Sequence, residues 1–252
     1  MPGCKTCRCH TDYKMDITMA MQPIVDLRTR QVYAYEALVR GTQGQSAGQV
    51  LAQVTEDNKY YFDQLCRTTA IEMMAGLSDT AKLSINFLPN AIYDPQTCLR
   101  KTLEAADKFN LAKERIIFEV SEQEHLTDSD KLIDIANTYN NNGLKVALDD
   151  FGAGYAGIEV LHRFQPDIIK LDISLINGIA LDPVKQAIVD GICLMTRRLD
   201  IDLVVEGVET QADYHCLCDL GVYLMQGYLF AKPVIATLPT PSFPAEPAEH
   251  PE

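Results

Sequence analysis

No run of apolar residues in this 252-residue chain approaches the roughly 20 needed to cross a bilayer, and the N-terminus lacks the basic-then-apolar pattern of a secretory signal. A membrane anchor is therefore not expected, and a cytoplasmic setting is. Positive charge is scarce: 22 Lys and Arg stand against 35 Asp and Glu, a formal net charge of −13. Such a chain has no general attraction for a phosphate backbone, which argues against long nucleic acid as a partner. A small phosphorylated ligand stays open, because metal ions can supply positive charge locally. Internal repeats are lacking, as is any compositional break of the kind that marks a second domain.

What is present is a series of short apolar runs, each ending in a polar residue. Glu36 closes Val32-Tyr33-Ala34-Tyr35, Asn86 closes Leu83-Ser84-Ile85, and Glu119 closes Ile116-Ile117-Phe118. Asp149 and Asp150 close Val146-Ala147-Leu148, Lys170 closes Ile168-Ile169, Glu206 closes Leu203-Val204-Val205, and Gln226 closes Tyr223-Leu224-Met225. Runs rich in β-branched and aromatic residues read as buried strands. One carboxylate at a strand end is unremarkable, but the same placement on strand after strand implies that the ends converge on one face, as they do in a (β/α)8 barrel. The length suits one such domain, and 47% hydrophobic residues suffice for its core. Acidic groups pooled at one mouth repel each other unless cations sit among them, so the first inference is a barrel enzyme with a carboxylate-lined divalent-metal site.

Strands are expected at 17–24, 31–39, 82–86, 115–119, 144–149, 167–171, 201–206 and 222–225. Only six residues separate the first two, too few for a parallel crossover, so the barrel is expected to open with an antiparallel hairpin. The intervening segments carry helical spacing, for example Phe62, Leu65, Thr69 and Met73, or Ile188, Ile192, Met195 and Leu199. Residues 1–14 read as a Cys-rich leader, 15–238 as the barrel and 239–252 as a Pro-rich disordered tail. Without an export signal the eight cysteines default to thiols. Cys66, Cys98 and Cys193 read as small core residues. Cys4, Cys7, Cys9 and His10 crowd into one short segment, open to zinc or redox chemistry or to no role at all.

Read in order, these residues resemble the EAL-domain cyclic di-GMP phosphodiesterases. The resemblance is carried by Glu36-Ala37-Leu38 with Arg40, Asn86, Glu119-Val120-Ser121-Glu122, and Asp149-Asp150-Phe151-Gly152 with Gly154-Tyr155. It continues through Lys170-Leu171-Asp172 and Glu206-Gly207-Val208-Glu209-Thr210 to Gln226-Gly227-Tyr228 with Lys232-Pro233, covering about Met19 to Pro233. The wording Asn86-Phe87-Leu88-Pro89-Asn90 and Phe164-Gln165-Pro166-Asp167 is similar to EAL modules attached to blue-light flavin photosensors. The photosensor itself is not expected, since little sequence precedes the EAL region.

The resemblance implies a TIM-like (β/α)8 barrel with one antiparallel strand and hydrolysis of cyclic di-GMP to linear pGpG. It also implies two Mg²⁺ or Mn²⁺ ions, with Ca²⁺ non-productive. By the same resemblance, Glu36, Asn86, Glu119 and Asp149 hold one metal; Asp149 bridges to a second beside Asp150 and Glu206. Lys170 acts on the attacking water, with Glu36 and Glu206 also in the catalytic set. Gln22, Leu38, Arg40, Asp172 and Gln226 contact substrate, and Glu122 and Glu209 anchor loops. A homodimer through the helices after Asp149 and Lys170 is implied too, and the large side chains Tyr155, Ile158, Leu161, His162 and Phe164 add apolar surface there. The chemistry suits the residue types. Two metals acidify a shared water and clamp a phosphodiester, and such hard ions prefer carboxylate and amide oxygens to thiolates.

Departures from the family pattern are modest. Ser121 stands for a Thr, Val205 for an Ala, Leu88 for a small polar residue, and Ala153, Ala156 and Gly157 for hydroxylated ones. None removes an expected ligand. The rival readings are a catalytically weak EAL module acting as a cyclic di-GMP receptor, and a protein-interaction domain that binds no nucleotide.

Overall fold

The computed structural model describes residues 14–78, 80–92, 94–121, 129–154 and 157–244. The chain opens with β1 (Ile17–Asp26) and β2 (Gln31–Gly41), an antiparallel hairpin whose register sets Gln22 opposite Glu36. Helices α1 (Ala47–Leu51) and α2 (Lys59–Leu77) lead to β3 (Lys82–Asn86), and α3 (Pro95–Phe109) to β4 (Ile116–Ser121). Then come α4 (Ser129–Asn141), β5 (Lys145–Phe151), α5 (Gly157–Arg163) and β6 (Ile168–Leu171). The last turns of the barrel are α6 (Ile173–Ile176), α7 (Pro183–Leu199), β7 (Asp202–Val205), α8 (Gln211–Asp219) and β8 (Leu224–Gln226). β2 to β8 lie side by side in order, all parallel. β1 pairs antiparallel with both β2 and β8, closing an eight-stranded barrel with one strand reversed. A short β9 (Val234–Ile235), not foreseen in the sequence, pairs with Ala20 and Met21 of β1.

Local sequence sets the helix ends. Asp94 and Asp182 cap α3 and α7 by accepting backbone N–H groups, each followed by a proline that needs no donor partner there. Asn110 and Asp200 end those helices with φ of 56° and 58°, a left-handed stop that short polar side chains tolerate.

Period-two alternation builds the interior in layers. Ile24, Ala34, Ile117, Ala147, Ile168, Val204 and Leu224 pack into one apolar cluster inside the barrel. Two positions further toward the C-terminal ends of β2 and β4–β8 lie Glu36, Glu119, Asp149, Lys170, Glu206 and Gln226. On reversed β1 the same step runs backward in sequence, from Ile24 to Gln22. On β3 the corresponding pair is Ser84 and Asn86. A single apolar floor thus supports a polar layer at the mouth, contributed by every barrel strand.

The outer shell differs from expectation in phase. The buried face of α2 is Phe62, Asp63, Cys66, Arg67, Ala70, Ile71 and Met74, while Leu65, Thr69 and Met73 are only half-buried. On α7 the buried stripe is Val189, Cys193 and Thr196, and Ile188 and Leu199 are exposed. Cys66, Cys98 and Cys193 are buried. Residues 239–244, within the stretch expected to be a disordered tail, pack on the barrel instead. The Tyr35 hydroxyl donates to Pro239 O, Ser242 N–H donates to Phe230 O, and the Phe243 ring meets Phe230 edge to face. The remaining tail, 245–252, and the leader with Cys4, Cys7, Cys9 and His10 lie outside the described residues. Among the described residues no helix is long and apolar enough to cross a membrane.

Candidate active site

The polar layer is organised around one cation. Lys170, 1% exposed, holds its Nζ 2.6 Å from Glu206 Oε1, 3.0 Å from Glu119 Oε2, 3.3 Å from Asp149 Oδ1 and 3.4 Å from Glu36 Oε2. Four carboxylates, three on β2, β4 and β5 and one just past β7, therefore meet at one ammonium group. Burial pushes the Lys170 ammonium toward neutrality, but Asp149, Glu119, Glu206 and Glu36 outweigh it and hold its pKa well above the ordinary value.

One lysine cannot satisfy so many acids. Burial drives Glu119 well above the usual carboxylate range, reinforced by repulsion from Glu36 and opposed by Lys170. Burial likewise raises Asp149, and lifts Glu206 to about 8, against the pull of Lys170. Glu36 goes the other way. Burial raises it, but Lys170 and hydrogen bonds from Gln226 and Asn86 prevail and leave it lowered. Those bonds are short: Gln226 Nε2 donates to Glu36 Oε2 at 2.7 Å, and Asn86 Nδ2 donates to Glu36 Oε1 at 2.8 Å. With the Asn86 amide nitrogen committed to Glu36, its oxygen is the atom left for a ligand.

The end of β5 is irregular, its register with β6 shifting between Leu148 and Phe151. Asp150 has φ of 55°, its N–H donates to Asp149 Oδ1 at 2.9 Å, and its Oδ2 accepts the Ser121 hydroxyl at 2.7 Å. Ligand oxygens of Asp149, Asp150 and Glu206 all lie within 4.8 Å of one another. After β7, Gly207 takes φ of 69° with its α-carbon against Ile173 of α6, where any side chain would collide.

A cleft of ≈ 360 Å³ opens over these groups, lined in part by Gln22, Glu36, Leu38, Asp149, Asp150, Glu206, Glu209 and Gln226. Gln22 is buried there, with its amide nitrogen 3.3 Å from Ala231 O. Two expected substrate contacts stand apart. The Arg40 Nη1 donates to Val39 O, and Asp172 caps α6 by accepting Ser174 N–H; neither lines the cleft. Glu122 lies outside the described residues.

The donor set fits divalent metal. It consists of carboxylates and one amide, hard oxygen ligands in excess of the available cation. Gln226, a residue of the cleft wall, also carries a buried Oε1 with no donor among the described residues. Sequence reasoning missed two supporting hydroxyls. Ser121 reaches Asp150, and Ser84 donates to Glu119 Oε1 at 2.6 Å. The alternation that put Ser84 on the face of Asn86 was the available signal.

Fold and site define an α/β-barrel protein with an acidic mouth built around one lysine. The chain belongs to the EAL domain family, whose profile matches residues 13–233. It is 31% identical over 226 residues to the blue light- and temperature-regulated antirepressor BluF of Escherichia coli, covering 89% of this chain and 56% of BluF. It is 36% identical over 152 residues to the probable cyclic di-GMP phosphodiesterase PdeG of the same organism, 60% of this chain and 30% of PdeG. The chain thus spans little more than half of the one curated relative and under a third of the other. Among solved structures, a standalone versatile EAL protein from Vibrio cholerae in its c-di-GMP-bound form superposes with a TM-score of 0.89 at 46% identity, covering 92% of this chain and 98% of that one. Klebsiella pneumoniae BlrP1, in a manganese/cy-diGMP complex, does so at 0.84 and 32%, over 90% and 58%.

Proposed function

We propose that this protein is a metal-dependent phosphodiesterase that hydrolyses cyclic di-GMP to linear pGpG. The observation that carries the reading is the Lys170 ammonium enclosed by Glu36, Glu119, Asp149 and Glu206 at the C-terminal ends of parallel strands. Glu36, Asn86, Glu119 and Asp149 would hold one divalent ion, and Asp149, Asp150 and Glu206 a second. When bound, two such ions neutralise charge on a phosphoryl group and acidify a water for attack. Mg²⁺ or Mn²⁺ suits this role. Ca²⁺, larger and looser in its coordination, is expected to support binding without turnover.

The chain's own groups do the rest. Lys170, kept protonated by its neighbours, orients and polarises the attacking water. Gln226 and Asn86 fix both oxygens of Glu36, so that its charge faces the mouth in one orientation. Gln22, Leu38 and Gln226, on the cleft wall, orient the nucleotide. Arg40 and Asp172 reach it only by leaving their present partners, and Glu209 steadies the loop after β7. Glu122 is assigned to anchoring the loop after β5 on the family pattern alone.

A second reading is a protein-interaction domain, the kind of role suggested for one relative by its name, an antirepressor. The complete oxygen set around a lysine weighs for hydrolysis, since a docking surface has no need of it. A homodimer through α5–α7 and a cytoplasmic setting belong to the proposal. Leu181 is 93% exposed, Ile158 75% and Val184 66%, and Ile188 continues the stripe. Leu161 and Phe164, which the sequence added to that surplus, are buried in the core, and Tyr155 lies outside the described residues.

The test is incubation of purified protein with cyclic di-GMP in Mg²⁺ or Mn²⁺, with and without chelator, and chromatography of the products. Chelator-sensitive pGpG formation is expected. No turnover in either metal, with the fold intact, would overturn the reading.

A further inference from the structure

Helix α2 turns charge inward. Asp63 and Arg67, one helical turn apart, are 2% and 0% exposed in their side chains, with Arg67 Nη2 2.8 Å from Asp63 Oδ2. A buried ion pair loses the hydration of both ions, and apolar residues of similar volume are often as stable or more so. Stability alone is therefore a weak reason for the pair.

Its contacts suggest another. Asp63 Oδ1 accepts the N–H of Leu88 at 3.0 Å, two residues past Asn86. Arg67 Nη1 donates to the Tyr139 hydroxyl at 2.9 Å. The guanidinium lies 5.4 Å from the Phe87 ring centre, 4.9 Å from Phe118 and 5.9 Å from Tyr139. Phe87 follows Asn86 in the chain and Phe118 precedes Glu119. The two rings meet edge to face at 5.7 Å, and Phe87 N–H donates to Glu119 O at 3.0 Å. A planar guanidinium among three rings and a charged acceptor has one good geometry, where an aliphatic pair would tolerate several.

We propose that Asp63 and Arg67 are positioning residues that fix the ends of β3 and β4, and through them Asn86 and Glu119, for divalent-cation binding. The inference rests on the metal-site reading above and adds residues beyond the mouth to it. Groups that orient ligands from behind typically change metal affinity roughly tenfold or more when removed.

The experiment measures Mn²⁺ binding to the full chain without nucleotide, from the free-Mn²⁺ electron paramagnetic resonance signal, alongside thermal unfolding. The variants are D63N, R67M and the double variant D63L/R67M, with I71A as a core cavity on the same helix. R67M strands a buried carboxylate and is expected to be the least stable. D63L/R67M removes both charges and is expected to fold, yet to bind Mn²⁺ roughly tenfold more weakly. I71A is expected to lower the unfolding temperature and leave Mn²⁺ affinity unchanged. Wild-type affinity in D63L/R67M, or an equal loss in I71A, would overturn the inference. If the double variant does not fold, D63N decides: it keeps an oxygen for Leu88 but removes the charge that holds Arg67 among the rings, so a several-fold weaker Mn²⁺ affinity is expected, and unchanged affinity counts against the proposal. A wild-type protein that takes up no Mn²⁺ would instead sink the metal-site reading itself.

Discussion

Ser84 Oγ donates to Glu119 Oε1 at 2.6 Å from within the otherwise apolar floor of the barrel. That leaves Glu119 Oε2 facing Lys170 and gives the carboxylate one orientation. Ser84→Ala should fold normally, because Ala34 and Ala147 already occupy the same layer. It should raise the Mn²⁺ concentration for half-maximal activity roughly tenfold and lower kcat at saturating metal much less. Metal titrations of both proteins check this; an unchanged metal dependence would show that Glu119 needs no such support.

Lys170→Met removes the ammonium that Glu36, Glu119, Asp149 and Glu206 share. Turnover should fall on the order of 10²- to 10³-fold, as when an electrostatic donor is taken from a reacting oxygen. Cyclic di-GMP affinity in Ca²⁺ should change little, since the lysine acts on water and not on the nucleotide. Parallel losses in rate and affinity would reassign Lys170 to phosphate binding.

Glu206, raised to about 8, and Glu119 and Asp149, raised by burial and mutual repulsion, retain protons in the metal-free protein that an unfolded chain would release. For acids with raised folded pKa values, the native state binds more protons than the unfolded one between the two values. Stability of the chelator-treated protein should therefore be greatest on the acid side of this window and decline as pH rises from about 4.5 through about 8. Added Mn²⁺ should remove the decline and release protons. Unfolding temperature against pH, with chelator and with Mn²⁺, tests the first part. Calorimetry at pH 7 in buffers of different ionisation enthalpy tests the second.

Leu181, Val184 and Ile188 form the exposed stripe expected to bury itself in a dimer. Val184→Glu would place an unpaired charge in that interface, costing several kcal/mol of association. Light scattering over a range of concentrations should show a dimer for the parent chain and a monomer for the variant. A monomeric parent chain would remove the dimer from the proposal.

The barrel was legible because two signals coincide on seven of its eight strands, a short apolar run and a polar residue at its mouth end. Glu36, Glu119, Asp149, Lys170 and Glu206 meet as their strand positions implied. The phase of the outer helices was not legible. On α2, the charge of Asp63 and Arg67 argues for a solvent-facing position, and their burial is made tolerable by their pairing together with Leu88 N–H and the Tyr139 hydroxyl, none of which the sequence displays. On α7, a surface stripe of Val184 and Ile188 blurs the boundary of the core face. Strand β9 is too short to carry a period, and the docking of 239–244 depends on Tyr35 and Phe230, far away in sequence. Alternation shows which face Ser84 occupies, but the partners of Ser84 and Ser121, Glu119 and Asp150, emerge only once neighbouring strands are in register.

The reversed first strand has a consequence for how the barrel is wired to anything upstream. In an all-parallel barrel the chain enters at the face opposite the chemistry. Here β1 runs downward from the rim, and Ile17 pairs with Gly41 at the same end that bears Glu36 and Asp149. The covalent tether of every residue before Ile17 is thus fastened at the catalytic rim. The same strand that carries this attachment sets Gln22 opposite Glu36, so point of entry and cleft wall share a single strand.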